Sequence, residues 1–443
     1  MNKPFSAGTS IVVATYGTLG DVYPYLQLAM ALKKRGHRVT VASSELFRET
    51  IEALELVFRP LRPDVAASGT SVPELGRRLM DPKRGPEYVY RELLIPNVRD
   101  CYDDLIAMTR GTDLLVSHPL VLAAPLVAEK TGIAWVSSVL SPISFLSVDD
   151  PSVFSISDWL TPQRLGASTL GTFLIRLLRK GVRQRLRSWS KPIQQLRADL
   201  GLPSAADPLL DGQHAPGCVL ALFSPLLGAP QRDWPAQARA TGFLFYDAAP
   251  LLPPSTALAS FLAAGPPPVV FTLGSSAIFA AGTFYAESLK AVGLLGCRAV
   301  LLTGGFPQEG LSQAVDNPDV LLVDYAPHQA LFDQAAVVVH QGGVGTTAQV
   351  LRAGRPMLIV PHAHDQPDNA VRARRLGVGR ILTPPHYSAR RVAAELTYLL
   401  TDPVYQQHAD QVRIQLAAED GTESACLALE NQLVRHNQQP VRA

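Results

Sequence analysis

Residues His340-Gln341-Gly342-Gly343-Val344-Gly345-Thr346-Thr347 lie between an apolar run, 336–339, and a stretch rich in Ala and Leu. The apolar run predicts a short buried strand, and the stretch that follows predicts a helix. Glycines in such a turn let the backbone come close to a ligand, and the first N–H groups of the helix are free to bind it. The sequence therefore predicts an anion site. A diphosphate is the expected occupant, and His340, at the carboxyl end of the strand, could donate a hydrogen bond to it.

A polar pair, Asp365 and Gln366, follows the next apolar strand, which is predicted at 357–360. A carboxylate only accepts hydrogen bonds, whereas a carboxamide both donates and accepts, so the two together suit the hydroxyls of a sugar. Ligands of doubly wound sheets bind at the carboxyl ends of the strands. The glycine-rich turn and this pair together indicate a nucleotide-sugar site.

These residues carry a resemblance to a known family. From Tyr325-Ala326-Pro327 to Asp365-Gln366, the chain resembles the C-terminal signature of family 1 inverting glycosyltransferases with the GT-B fold. Near the N-terminus, Gly17-Thr18-Leu19-Gly20-Asp21-Val22-Tyr23-Pro24 resembles the GTxGDxxP loop of their bacterial and sterol-directed members. Within the family, residues 279–291 and 364–370 look most like the rhamnosyltransferases of rhamnolipid synthesis and the sterol glucosyltransferase-like enzymes.

The length of 443 residues is too great for one ordinary core and predicts two domains. Strand and helix alternate in each half, which predicts parallel sheets with right-handed crossovers. Proline-rich passages at 249–254 and 265–268 separate the halves. The resemblance implies the GT-B form of this α/β fold, in which two doubly wound Rossmann-like domains face a central cleft.

The predicted units follow from these boundaries. They are an acceptor-binding domain at 1–245, a linker at 246–268, a nucleotide-sugar-binding domain at 269–420, and a C-terminal helix at 421–443 that could pack back on the first domain. The predicted strands are 11–15, 38–42, 113–117, 134–138, 269–273, 299–303, 320–323, 337–339 and 357–360, and helices are expected near 22–34 and 122–130.

The resemblance assigns donor contacts to both sides of the cleft. They are Gly20, Ser275, Ser276, Tyr325, Ala326, His328, His340, Gly342, Gly343, Gly345, Thr346, Asp365 and Gln366. Tyr325 stands where the family usually carries a Trp under the nucleobase, and His328 replaces the usual Gln, so the choice between uracil and thymine stays open. An aromatic face can still cover a pyrimidine. Ser275 and Ser276 have a second interpretation as a helix cap.

Asp21 is the candidate general base, because an acceptor hydroxyl would meet the anomeric carbon of the donor near this loop. The resemblance to bacterial members with the GTxGDxxP loop implies this role, whereas the His that plant members use in the loop is absent. The alternative makes Asp21 the N-cap of a helix starting at Val22. His118, at the end of a later strand, could share a proton with Asp21, be the base itself, or be a satisfied polar residue.

Composition narrows the class of protein. A net charge of +2 gives no reason to expect a nucleic acid partner. The four cysteines are far apart without metal-ligand spacing, which favours a reduced, cytoplasmic setting over a disulfide framework or a zinc site. No window is long enough to span a membrane. His362 and His364 lie in a turn, and the family stabilises its leaving group without a cation, so we expect neither a metal nor a cofactor.

A basic, partly apolar stretch at 165–189 lies within residues 159–198, which contain no Asp or Glu. Such a helix could touch the inner face of a membrane, or it could be a solvated face of the protein. The sequence leaves both interpretations open, and it does not separate a monomer from a homodimer.

The residues and the resemblance together predict an inverting, metal-independent glycosyltransferase. It would move a hexose or 6-deoxyhexose from a UDP- or dTDP-sugar to a hydroxyl of a lipophilic or phenolic small molecule. A nucleotide-sugar 2-epimerase of the same architecture is the alternative. An NAD-dependent oxidoreductase is disfavoured, because the G-x-G-x-x-G fingerprint does not open the first helix, where Gly17 and Gly20 are three residues apart.

Overall fold

Two parallel β-sheets organise the chain in the computed structural model, which describes residues 8–64, 71–154, 169–247, 255–311 and 317–438. The strands are β1 (Ser10–Ala14), β2 (Arg38–Ser43), β3 (Val57–Pro60), β4 (Leu114–Ser117), β5 (Ala134–Val139), β6 (Val219–Ala221), β7 (Ala238–Ala240), β8 (Val269–Phe271), β9 (Ala299–Leu302), β10 (Val320–Val323), β11 (Val337–His340), β12 (Met357–Ile359) and β13 (Gly379–Ile381). The first sheet has the order β3-β2-β1-β4-β5-β6-β7, and the second has the order β10-β9-β8-β11-β12-β13. The predicted pair of α/β domains is confirmed.

Every predicted strand overlaps a strand of the structure, and the ends differ by at most two residues. The strands β3, β6, β7 and β13 were not predicted. Each has only three or four residues, and β3, β7 and β13 carry partly exposed or polar positions, so no apolar run marks them. Their place in the sheets depends on pairing with a stronger neighbouring strand.

The helices lie between the strands, as parallel pairing requires. They are α1 (Leu19–Lys34), α2 (Arg48–Ala53), α3 (Val72–Leu79), α4 (Gly85–Glu87), α5 (Val98–Met108), α6 (Ala124–Thr131), α7 (Thr169–Trp189), α8 (Lys191–Asp199), α9 (Thr256–Ala263), α10 (Gly274–Ala277), α11 (Phe284–Leu295), α12 (His328–Phe332), α13 (Val344–Ala353), α14 (Gln366–Arg375), α15 (Ala389–Thr401), α16 (Pro403–Ala417) and α17 (Gly421–Gln438). A π-helical segment, Tyr88–Leu94, follows α4.

Helix α1 begins three residues earlier than predicted, at Leu19 instead of Val22. Thr18 is its N-cap, and Asp21 occupies the third helical position. The Asp21 carboxylate accepts hydrogen bonds from the backbone N–H and the hydroxyl of Thr18, at 2.7 and 3.0 Å. The interpretation of Asp21 as the N-cap itself was therefore wrong, because Thr18 closes a capping box with it.

Helix α17 packs beside α1 at the far end of the chain. Its apolar residues Cys426 and Leu429 are buried in the same core as β1 and α1. Arg35, which caps the end of α1, forms ion pairs with Glu430 at 2.6 Å and Glu423 at 2.9 Å. Helix α17 is thus held against the first sheet, although the second domain precedes it in sequence.

The predicted linker, 246–268, contains a helix, α9, in its second half. Ser255 caps that helix by accepting a hydrogen bond from the N–H of Leu258 at 3.2 Å. The proline-rich passage up to residue 254 lies outside the described residues.

The carboxyl ends of the strands point into a shared cleft, as expected for doubly wound sheets. From the first sheet, β1 leads through Gly17 and Thr18 into the first turn of α1, which carries Asp21, and β4 leads to His118. From the second sheet, β8, β11 and β12 lead to the turns at 274, at 342 and at 361–365. The predicted site residues are therefore carried by strand ends, turns and first helical turns at the same edges.

In the part of the chain that the structure describes, no single helix is both long and apolar enough to cross a membrane. One sharply bent pair, Gly274–Ala280 with Phe284–Leu295, meets that requirement of length and composition only when its two members are taken together.

Candidate functional site

The N-terminus of α13 offers free backbone N–H groups to the cleft. Its N-cap is Gly343, which has no side chain and makes no side-chain capping bond. The amides of Val344, Gly345 and Thr346 occupy the first three helical positions, where an α-helix supplies no internal acceptor. Three amides and the positive end of the helix dipole therefore form a place for an anion.

Gly342 shapes the turn before this helix. Its φ of +89° is a left-handed value that favours glycine. A Cβ here would lie 2.8 Å from Cγ2 of Ile359 and 3.1 Å from the carbonyl oxygen of Gln366. Both the backbone conformation and the space thus require glycine at this position.

The N-terminal turns of α1 and α13 face each other across the cleft. A Cβ at Gly345 would lie 3.8 Å from the Cα of Gly20, which belongs to the first turn of α1. The two predicted glycines are therefore brought together, one from each domain. An anion bound at α13 would also interact favourably with the positive end of the α1 dipole.

His340 does not present a donor to the cleft in this structure. Its ring is fully buried. The Nδ1 atom accepts a hydrogen bond from the N–H of Gly342 at 3.1 Å, and Nε2 lies 3.4 Å from Sδ of Met357. Burial, together with the nearby His328, lowers the pKa of His340 to about 3, so the ring is neutral. The predicted direct bond to a phosphate does not fit this geometry, in which His340 supports the turn from behind.

The second predicted turn, at Ser275 and Ser276, lies next to the first. Gly274 precedes them with a φ of +63°, and a Cβ there would lie 2.4 Å from Nε2 of Gln341, which sits in the turn before α13. Ser275 is exposed and Ser276 is partly exposed. The two serines lie within the short helix α10 rather than at its N-cap, which is Leu273. The helix-cap interpretation is therefore wrong.

Asp365 lies at the start of α14, on the loop after β12. Its Oδ2 accepts a hydrogen bond from Nδ2 of Asn369 at 2.7 Å. Burial raises the pKa of Asp365 to about 7, against the effect of the Asn369 bond and with a contribution from the negative charge of Asp21. Asp21 belongs to the first domain, so this effect on the pKa of Asp365 is an electrostatic interaction between the two domains.

Gln366 turns its oxygen away from the cleft. The Oε1 atom accepts hydrogen bonds from the N–H groups of His362 and Ala363, at 2.8 and 3.2 Å, and the residue is 4% exposed. The carboxamide oxygen thus fixes the loop before Asp365. For Gln366, a contact with sugar hydroxyls therefore falls to the amide nitrogen, which only donates hydrogen bonds. The sequence predicted that Gln366 would both donate and accept.

Asn369 was not predicted as a site residue, although it joins three parts of the site. Its Nδ2 donates to the carbonyl of Gly342 at 3.0 Å as well as to Asp365, and its Oδ1 accepts from the hydroxyl of Ser141 in the first domain at 3.1 Å. The spacing of Asp365 and Asn369 places both on one face of α14, and that spacing is visible in the sequence. The contact with Ser141 is not.

Asp21 and His118 form a pair on the first-domain side of the cleft. Nε2 of His118 lies 3.6 Å from Oδ1 of Asp21. Nδ1 of His118 accepts the N–H of Leu120 at 3.0 Å, which places the ring proton on Nε2, facing the carboxylate. The Asp21 side chain keeps 32% of its surface exposed, whereas that of His118 keeps 5%. Asp21 is therefore the member that a ligand can reach.

The pKa of Asp21 lies below its usual range. Burial acts to raise it, but hydrogen bonds and attraction from His118 and Thr18 outweigh that effect. Asp21 is consequently ionised at neutral pH. Asp365, in contrast, titrates near neutrality. The different surroundings of the two carboxyl groups thus give them different pKa values.

Tyrosines from three segments of the chain lie close together. Tyr325 is 42% exposed, and its hydroxyl interacts with that of Tyr23 in α1. The ring of Tyr23 lies 4.7 Å from that of Tyr246, the first residue of the predicted linker. Beside them, Ala326 is buried, and His328 stacks on Phe332 at 4.7 Å. Burial lowers the pKa of His328 to about 4.

A buried ion network, also not predicted, holds α14 against the first domain. Nε of Arg372 donates to Asp368 at 2.8 Å, and its Nη1 donates to Asp150 and to the carbonyl of Leu227. Arg375 bonds the other oxygen of Asp150 at 2.8 Å. Because Asp150 and Leu227 are far away in sequence, no local pattern predicts this network.

Within the described ranges, no three His, Cys, Asp or Glu side chains come together as a set able to hold a metal ion. His364, one of the two histidines before Asp365, instead donates from Nε2 to the carbonyl of Leu79 at 2.8 Å.

The basic stretch is helical from Thr169 onward, and its residues 165–168 lie outside the described part. Several arginines of α7 pair with acidic groups of the chain: Arg179 with Asp233, Arg183 with Asp211, and Arg185 with Glu87. Elsewhere on the helix, Phe173 and Leu177 are exposed, as are Arg176 and Lys180.

Comparisons with known proteins cover both halves of the chain. Residues 11–138 match the family described as Glycosyltransferase family 28 N-terminal domain, and residues 298–428 match the family described as Erythromycin biosynthesis protein CIII-like, C-terminal domain. The O-mycaminosyltylonolide 6-deoxyallosyltransferase of Streptomyces fradiae is 32% identical over 437 residues, which are 95% of this chain and 96% of that protein.

More distant similarities point in the same direction. A sterol 3-beta-glucosyltransferase of Arabidopsis thaliana is 26% identical, over 94% of this chain and 64% of that protein. Among solved structures, the glycosyltransferase VinC in complex with dTDP has a TM-score of 0.65 at 21% identity, and the match covers 96% of this chain and 99% of that one. At that identity the likeness concerns the fold alone.

Proposed function

This chain belongs to the glycosyltransferases of the GT-B fold, enzymes that use a nucleotide-sugar donor and need no cofactor, and on that premise we propose a reaction. It transfers a 6-deoxyhexose or hexose from a dTDP- or UDP-sugar to a hydroxyl of a lipophilic small molecule, with inversion at the anomeric carbon. One observation carries the proposal. The uncapped N-terminus of α13 meets Gly20 across the cleft, with the carboxyls of Asp21 and Asp365 beside it.

The diphosphate binds at the amides of Val344, Gly345 and Thr346. These donors are fixed before the substrate arrives, so they stabilise the charge that builds up on the leaving diphosphate without having to reorganise. His340 contributes indirectly by holding the N–H of Gly342 and thereby the turn. The sugar extends from the diphosphate towards Asp365, whose carboxylate accepts hydrogen bonds from the sugar hydroxyls.

Asp21 is the general base. Its partly exposed carboxylate takes the proton of the acceptor hydroxyl while that oxygen bonds to the anomeric carbon, and the bond from this carbon to the diphosphate oxygen breaks. Attack from the first-domain side, opposite the diphosphate, gives inversion. His118 is a positioning residue, because its Nε2–H faces Asp21 while its other nitrogen is occupied by Leu120.

The similarities suggest the classes of donor and acceptor. The relative from S. fradiae is named for transfer of 6-deoxyallose to O-mycaminosyltylonolide, and the plant relative is named for transfer of glucose to a sterol. Both acceptors are large lipophilic alcohols. VinC was solved with dTDP. We therefore expect dTDP-linked 6-deoxyhexoses to be preferred donors, with Tyr325 covering the nucleobase.

A thermal-shift comparison of dTDP, UDP and their sugars tests the donor part. A ligand at 100 times its Kd adds about 2.7 kcal/mol to the stability of the folded state. Transfer is then assayed with O-mycaminosyltylonolide and with a 3β-hydroxysterol. A stabilising nucleotide and a glycosylated product support the proposal, whereas no shift from any nucleotide contradicts it. Incubation with the donor sugar alone separates the alternative, because an epimerase would return an altered sugar.

Peripheral membrane contact by a cytoplasmic enzyme is a further expectation. The exposed Phe173 and Leu177 with Arg176 and Lys180 suit an anionic lipid surface, although the paired arginines of α7 leave fewer charges for it. Co-sedimentation with phosphatidylglycerol vesicles, compared with phosphatidylcholine vesicles, tests this contact. Equal recovery in both pellets would contradict it.

A further inference from the structure

His364 has an unusual backbone next to the sugar-binding carboxylate. Its φ is +58°, and only two other non-glycine residues in the described part, Glu55 and Leu146, have positive values. Such a conformation is uncommon outside glycine, and it persists where surrounding contacts hold it, often at functional sites. The contact that holds His364 in this conformation therefore indicates the function of its strained backbone.

That contact crosses the cleft to helix α3. Nε2 of His364 donates to the carbonyl of Leu79, the last residue of α3, at 2.8 Å. The last carbonyls of a helix lack an internal partner, so His364 satisfies a group that α3 cannot satisfy itself. Gly85 leaves room for the bond, because a Cβ there would lie 2.2 Å from the Leu79 oxygen.

Helix α3 belongs by sequence to the first domain but packs on the second. Gly76 lies against the ring of Phe279, where a Cβ would come within 2.1 Å of the ring. Met80, directly after the helix, is buried among second-domain residues that include Val360 and Ala363 of the sugar-binding loop. Two apolar contacts and one hydrogen bond thus dock α3 beside the loop that carries His364 and Asp365.

We propose that His364 is a positioning residue that keeps α3 docked over the sugar end of the donor site, so that the acceptor-binding domain closes on the anomeric carbon. This inference rests on the proposed function. Apolar contacts have little directional preference, whereas a hydrogen bond has preferred distances and angles. His364 therefore sets the position of α3 relative to Asp365. Asp21 also acts electrostatically on His364, which places this histidine near the base.

Hydrogen exchange of the full chain, read at residues 72–80 and 344–353 with and without dTDP, tests the proposal. An eight-residue helix is marginal by itself, so an undocked α3 exposes its amides. In His364→Gly, which removes the bond and relieves the backbone, exchange at 72–80 should become about fivefold faster, the factor expected for one lost hydrogen bond. His364→Gln, which restores an N–H donor, should return it towards the wild-type rate.

Gly76→Ala is the positive control, because its methyl group cannot fit against Phe279 and must undock α3 by another route. The inference is overturned if Gly76→Ala accelerates exchange at 72–80 and His364→Gly does not, or if His364→Gln behaves like His364→Gly. Failure of the proposed function looks different, since dTDP and UDP would then leave 344–353 unprotected in the wild type. In transfer assays, His364→Gly should lower kcat about tenfold and leave the affinity for dTDP unchanged.

Discussion

The two walls of the cleft present different kinds of atoms. The second-domain wall presents backbone amides at Val344 to Thr346, with glycine where space is needed, and in the proposed function these bind the diphosphate. The first-domain wall presents a pair of side chains, Asp21 and His118, to which the proposed function assigns the proton transfer. A backbone site depends on conformation and close approach, whereas a side-chain pair depends on protonation and distance. Substitutions in the two walls should therefore fail in different ways.

Asp21→Asn is expected to have the largest effect. Asparagine keeps an oxygen for the Thr18 N–H but cannot accept the acceptor proton, so kcat should fall about 1000-fold, within the range for loss of a general base. Affinity for dTDP should stay close to wild type, because the amides of α13 are untouched. Steady-state kinetics and nucleotide titration measure the two effects separately. If Asp21→Asn lost nucleotide binding as well as turnover, the two walls would not have separate roles.

Gly342→Ala should damage the other wall. The left-handed φ alone costs about 1–2 kcal/mol for a residue with a Cβ, and the contacts with Ile359 and Gln366 add to it. We expect a lower Tm and loss of most of the thermal shift from dTDP. Gly293→Ala is the matched control, since a Cβ there meets nothing within 4 Å. If both variants bind dTDP like the wild type, the turn does not depend on glycine.

His118→Ala should slow transfer about 10- to 100-fold and change its pH dependence. Removal of His118 abolishes an interaction that lowers the pKa of Asp21, whereas the burial that raises it remains. The rate requires ionised Asp21 and falls as pH drops through that pKa. The acid limb of the kcat/KM profile should therefore move to higher pH, and His118→Gln, with an N–H donor, should move it part of the way back. An unchanged limb would contradict the pairing.

The smallest expected effect is on donor affinity, which should depend on pH because Asp365 titrates near neutrality. With a pKa of about 7, this carboxyl is mostly ionised at pH 8 and mostly protonated at pH 6. Protonation removes an acceptor for the sugar hydroxyls, so the Kd for dTDP-glucose should rise up to about tenfold as pH falls over that range. The diphosphate of dTDP-glucose is esterified at both ends and does not titrate over this range, so the profile needs no correction for the phosphate.

Asp21→Asn sharpens the same measurement. The negative charge of Asp21 contributes to the raised pKa of Asp365, so the neutral variant should move the midpoint of the dTDP-glucose profile to lower pH. A midpoint that does not move would mean that the two carboxyls do not interact across the cleft.

The sequence predicted the backbone wall better than the side-chain wall. Strand, glycine turn and helix at 336–353 follow from local apolar pattern and glycine spacing, and the structure contains all three. The carboxyl ends of β11 and β12 then fix where Gly342 and Asp365 lie relative to each other. For Asp21 the pattern left two roles open, and the helix start at Leu19 shows that Asp21 takes part in a cap without being the N-cap.

What the sequence did not predict depends on contacts between distant segments. The Arg372 network reaches Asp150, and Asn369 reaches Ser141. Neither contact leaves a local pattern. The orientations of His340 and Gln366 also depend on their surroundings, because a ring or carboxamide of the same type can face a ligand or turn back to the loop.

A crystal structure of the wild-type protein with dTDP is the most direct test of the anion site at α13. We expect the β-phosphate within hydrogen-bonding distance of the amides of Gly345 and Thr346, with the nucleobase beside Tyr325. A diphosphate bound elsewhere at saturating dTDP, with these amides solvated, would contradict it.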